Sequence, residues 1–122
     1  MLSTMTARLT ASIHDTLHDR PASGVRFQLY WVDLHSDILL KSGCTNTGGT
    51  TLQPLLDSTK MSAGRYRLVL HIGDYFEECA LSSARSFIDV LPLTFVIEDA
   101  SEPLHLCIRV SPTAYSVEKK PA

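Results

Sequence analysis

The sequence lacks most of the features that announce a common activity. It contains no G-x-S-x-G, H-E-x-x-H, P-loop or G-x-G-x-x-G pattern. The usual nucleophile elbow, zinc helix and phosphate cradle are therefore excluded. Cysteine is scarce: Cys44, Cys79 and Cys107 are three in number, and none stands in a C-x-x-C pair. That argues against a disulfide framework and against a zinc site. A reducing cytosol is the simplest setting, so a cytoplasmic location is expected. Charge of one sign is missing too. With 11 Lys and Arg against 13 Asp and Glu, the net charge is −2. No electrostatic pull toward nucleic acid or a membrane surface follows. No apolar run approaches the roughly 18 residues of a spanning helix. The opening MLSTMTARLT has no apolar centre, so no secretory signal is expected.

What is present fits a single domain over residues 1–122. A chain of this size buries a core without help from metals or disulfides. Hydrophobic residues make up 44%, which excludes general disorder. Residues 1–6 and 119–122 are expected to be flexible. Almost every segment alternates with period two, the signature of strands with one buried face. Arg8 to His14 alternates cleanly, and DRPASG is a turn punctuated by Pro21 and Gly24. Strands are expected at 25–33, 38–46, 65–72, 91–98, 104–111 and 115–119, with a short edge strand in 50–56. Pro54 keeps that last one out of a sheet interior. Residues 74–83 form the one expected helix, with Asp74 as cap and Glu77 and Glu78 near its positive end. Seven or eight short strands with one helix give an all-β, two-sheet sandwich.

Two strands carry polar side chains that suggest chemistry. Thr10, Ser12 and His14 share one face of the first strand, opposite Leu9, Ala11 and Ile13. His105, Cys107, Arg109 and Ser111 share one face of a late strand, opposite Leu104, Leu106, Ile108 and Val110. Such faces are often just solvated, and parity alone does not bring the two together. His14, Asp15 and His18 lie close in sequence, but the turn at Asp19-Arg20 breaks their common face, so no metal site is expected. His35 and His71 read as surface residues, Cys44 and Cys79 as packing residues.

Several segments, in order, resemble the transthyretin/5-hydroxyisourate hydrolase family. IHDTLHDRPASGVRFQLY is similar to its opening strand, turn and second strand. TNTGGT at 45–50 looks like its Thr-Asn-x-x-Gly-Arg turn. GRYRLVLHIGDYF at 64–76 resembles its Gly-x-Tyr strand and the helix that follows. LPLTFVIEDASEPLHLCIRVSPTAYS at 91–116 resembles its late strand pair and Ser-Pro-x-x-Tyr-Ser element. The resemblance spans nearly the whole chain. It implies a transthyretin-like (prealbumin-like) sandwich of two four-stranded sheets with one short helix. It also implies a homotetramer, a dimer of dimers, whose channel is lined by the first strand, the late strand and the C-terminal segment.

The resemblance also places a site. The family's first-strand His falls on Ser12, its turn Arg on Thr50, and its late-strand His on His105, which is kept. The C-terminal Tyr-Arg-Gly-Ser is replaced around Glu118, Lys119, Lys120 and Pro121. Ser12 has no basic nitrogen and Thr50 no guanidinium fork. By parity, His14, Cys107 and Arg109 point where His105 points. His105 is then the expected general acid/base, Arg109 the electrostatic clamp and His14 a second proton carrier. Ser12, Thr50, Cys107, Ser116 and Glu118 are expected to touch substrate. Cys107 is read as a wall residue first and as a nucleophile second. No cofactor is expected. The leading expectation is a diverged enzyme acting on a small cyclic substrate by hydrolysis, ring opening or a related lyase or cyclisation step. The alternatives are a small-molecule carrier and a 5-hydroxyisourate hydrolase of purine catabolism with a rearranged site.

Overall fold

The computed structural model describes residues 7–79 and 86–121. Eight strands and one helix follow in order: β1 (Leu9–Asp15), β2 (Arg20–Pro21), β3 (Arg26–Val32), β4 (Asp37–Cys44), β5 (Gly64–His71), α1 (Ile72–Cys79), β6 (Val90–Ile97), β7 (Leu104–Val110) and β8 (Tyr115–Pro121). They make two four-stranded sheets, ordered β2-β1-β7-β8 and β4-β3-β5-β6. Each sheet buries one face against the other, as an alternating strand requires.

The alternation that marks β1 in sequence is seen in its burial. Leu9, Ala11, Ile13 and Asp15 are buried, while Thr10, Ser12 and His14 are half-buried. β7 answers with buried Leu106, Ile108 and Val110. From the second sheet come Phe27, Leu29, Tyr66, Leu68, Leu70, Leu91 and Leu93. The two sheets thus close over one apolar layer of some twenty side chains, and among the described residues Asp15 is the one charged group buried with it.

Several expectations needed correction. The 50–56 segment forms no strand. It touches β1 only through isolated bridges, Leu9 with Leu56 and Ser12 with Thr50. Backbone bonds from Ile13 N to Gly49 O and from Leu9 N to Leu56 O hold it there. The helix starts at Ile72, so Asp74 lies in its first turn rather than at its cap. Residues 80–83, expected at its end, lie outside the described residues, as do 1–6. β8 continues to Pro121, opposite Leu104, beyond the end expected at Lys119. β7 supplies the partner that keeps these last residues in register. Cys44 is exposed rather than packed, because it ends the edge strand β4.

Candidate active site on the outer face of the first sheet

β1 and β7 are neighbours and run parallel, so their side chains match one to one. Thr10 faces His105, Ser12 faces Cys107 and His14 faces Arg109. β8 pairs antiparallel on the far side of β7, setting Lys120 beside His105, Glu118 beside Cys107 and Ser116 beside Arg109. Partners across a ladder share a face. The outer face of the sheet therefore carries three rows. The first is Thr10, His105 and Lys120. The second is Ser12, Cys107 and Glu118, extended by Thr50 through its bridge to Ser12. The third is His14, Arg109 and Ser116. All eight residues expected at the site lie on this surface, and the two polar strands of the sequence form one patch.

Within the patch, His105 is the most constrained side chain. Its Nδ1 lies 2.7 Å from Thr10 Oγ1, and its Nε2 lies 3.0 Å from Ser12 Oγ. Both ring nitrogens are thus held by β1 hydroxyls. Burial, and then the positive charge of Lys120, hold the imidazole below its ordinary pKa. Each favours the neutral ring, which keeps one acceptor nitrogen at neutral pH. Ser12 Oγ also lies 4.0 Å from Cys107 Sγ.

The remaining groups are less concentrated. His14 Nε2 pairs with Asp19 Oδ1 at 3.0 Å, which turns it toward the β1–β2 corner. Asp19 holds a positive φ of 52° to make that corner. Thr50 donates its hydroxyl to Asn46 Oδ1 at 3.1 Å. Its backbone N–H reaches the same oxygen, so Thr50 stabilises the 45–50 turn. Arg109 is exposed. His18 does not join His14. Its ring Nδ1 lies 2.6 Å from Oδ2 of buried Asp15. Among the described residues, no group of three or more His, Cys, Asp or Glu could hold a metal ion.

Two neighbours of His105 were not singled out as site residues in the sequence. Thr10 was visible as part of the polar face, but its role depends on a contact across β1 and β7. Lys120 lay in the segment expected to be loose. Continuing the β8 alternation from Ser116 through Glu118 would have placed it on the face.

The whole chain can now be set beside known proteins. The model of the HIUase/Transthyretin family matches residues 9–119. The chain belongs to this family. The 5-hydroxyisourate hydrolase 2 of Rhizobium meliloti is 34% identical over 110 residues, covering 89% of this chain and 92% of that protein. The 5-hydroxyisourate hydrolase of Halalkalibacterium halodurans is 35% identical over 114 residues, covering 92% and 96%. In three dimensions the chain is similar to an (S)-allantoin synthase, with TM-score 0.85 and 26% identity, over 94% of this chain and 44% of that one. The two-sheet sandwich of this chain is thus shared with its family.

Proposed function

We propose that this chain is a diverged, hydroxyisourate-hydrolase-like enzyme that opens a small cyclic substrate. The substrate lies on the outer face of the β2-β1-β7-β8 sheet, in a channel between the dimers of a homotetramer. One observation carries the reading: His105 is fixed through both ring nitrogens amid a face of titratable groups, in a chain whose relatives bear hydrolase names. A neutral, oriented imidazole at the centre of a polar patch is suited to proton transfer. Arg109 and Lys120, one row on either side of Ser12, supply positive charge for an oxygen that becomes anionic as a ring amide is attacked. His14 lies beside Arg109 as a second proton carrier. Cys107, Ser116, Glu118 and Thr50 line the substrate's place. The cytoplasm and purine catabolism are the setting that this reading gives.

Freshly generated 5-hydroxyisourate mixed with the purified protein tests the reading, followed by ultraviolet absorbance decay. Acceleration over buffer that is lost in His105→Ala supports it. A rate equal to buffer removes hydroxyisourate as a substrate. The carrier reading is favoured by one observation, that Thr50 spends its hydroxyl on Asn46 within its own turn. A transthyretin with the same fold has been solved with thyroxine. Tight binding of a ligand with no chemical change would support the carrier.

A further inference from the structure

The contact between Ser12 and His105 has the geometry of an activated hydroxyl. We propose that Ser12 is a catalytic nucleophile, that His105 is its base, and that Thr10 is the positioning residue for the His105 ring. This rests on the ring-opening reading and adds a covalent intermediate to it.

Neutral imidazole has one N–H and one lone pair. With the proton on Nδ1, His105 donates to Thr10 Oγ1 at 2.7 Å. Nε2 then presents its lone pair to the Ser12 hydroxyl at 3.0 Å. A nucleophile within hydrogen-bond reach of a base, itself oriented by a third group, is the arrangement that activates serine. Thr10 and Ser12 are two apart on β1, so both project from one face toward one residue of β7. Two rigid strands fix all three side chains. Ser12 lies in the middle row, between the rows of Lys120 and Arg109. The lowered basicity of His105 keeps the accepting form populated at neutral pH.

Ser12 Oγ attacks a ring carbonyl carbon, and its proton passes to His105 Nε2. The ring C–N bond breaks, and the leaving nitrogen takes that proton. The opened substrate remains as an ester on Ser12. Water then gives a proton to His105 and its oxygen to the carbonyl carbon. The ester bond breaks and Ser12 recovers its proton. The net change is addition of water across one ring amide, with no oxidant or co-reactant.

A fluorophosphonate probe tests this on the full chain. Ser12 Oγ would form a bond to phosphorus, fluoride would leave, and His105 would receive the proton. Peptide mass spectrometry is expected to map the adduct to Ser12. The adduct should vanish in Ser12→Ala and form at least ~100-fold more slowly in His105→Asn, in line with the contribution of a general base. Thr10→Val should slow labelling about tenfold without moving the thermal midpoint, and Thr10→Ser should restore it. An adduct on Cys107 instead, or none on Ser12, overturns the dyad. Hydroxyisourate turnover at the wild-type rate by Ser12→Ala also overturns it, while leaving ring opening standing. His105-dependent labelling of Ser12 in a protein inert toward hydroxyisourate upholds the dyad and removes that substrate.

Discussion

The Tyr75 hydroxyl donates a 2.8 Å hydrogen bond to Asp15 Oδ2 and so ties α1 to the end of β1. Asp15 is fully buried, at 0% exposure, and takes the last inward position of the β1 alternation. It also accepts from the His18 backbone N–H at 3.0 Å. With His18 Nδ1 at 2.6 Å, three groups surround one carboxylate. A bond to a charged acceptor contributes roughly 1.5–3 kcal/mol. Tyr75→Phe keeps the ring and deletes that bond. It is expected to lower unfolding stability by about 1.5–3 kcal/mol in urea titration. A loss below ~0.5 kcal/mol would mean that the bond is not what anchors α1.

The same carboxylate sets an acid limit. Burial pushes the Asp15 pKa up, but the hydrogen bonds from His18 and Tyr75 outweigh it and bring it below the ordinary 3.8. A depressed folded value means that the folded state holds fewer protons than the unfolded chain. The resulting stability is fully present above the unfolded value and is lost as pH falls through the folded one. Urea midpoints of wild type and Asp15→Asn should therefore differ most at neutral pH and converge below about pH 4. A constant gap down to pH 2 would show that the charge of Asp15 contributes nothing.

Gly49 links the 45–50 turn to the candidate site. Its φ is +74°, and a Cβ there would lie 2.5 Å from the backbone oxygen of Ile13. Its own carbonyl accepts from Ile13 N at 2.8 Å, one residue from Ser12. Left-handed backbone costs an L-residue about 1–2 kcal/mol before any overlap. Gly49→Ala is expected to cost upward of about 2 kcal/mol, because the clash is with main chain and cannot be relieved by a rotamer. Gly24→Ala is the control, since it has a similar φ of +82° and open space around its Cβ. The two variants losing equal stability would show that overlap adds nothing at Gly49.

Much of this molecule was legible in its sequence, for a physical reason. Strand parity is exact, so Leu9, Ala11 and Ile13 had to face inward together, and Thr10, Ser12 and His14 outward. The same rule set His105, Cys107 and Arg109 on one face. Continuing that parity one residue past His14 would have put Asp15 inward, as the structure does, but the sequence offers no sign of Tyr75 reaching it from a helix sixty residues on. Strand adjacency was not legible from parity. That the first and late strands line one channel came only from the family resemblance, and their direct pairing, which assembles the site, came from the structure. Segment 50–56 has strand-like residues, yet its contacts with β1 are two separate bridges, and no periodicity distinguishes those from a ladder.

Lys120 and His105, opposite each other on β8 and β7, make the pH dependence of the site a test of its geometry. His105 must be neutral to accept a proton. Burial first, and the Lys120 charge second, lower its pKa from 6.5. The acid limb of kcat/KM should therefore fall below pH 6.5, the reverse of a histidine paired with a carboxylate. Lys120→Gln removes the second cause and leaves the first. Its acid limb should move up toward 6.5 without reaching it, while activity above pH 7.5 falls because one of the two positive charges facing the developing oxyanion is gone. The same sign applies to stability. The unfolded histidine takes a proton that the folded one resists, so His105 destabilises the fold as pH falls below 6.5. In Lys120→Gln that loss should be smaller. An acid limb unmoved by the substitution would show that the Lys120 charge does not reach the ring.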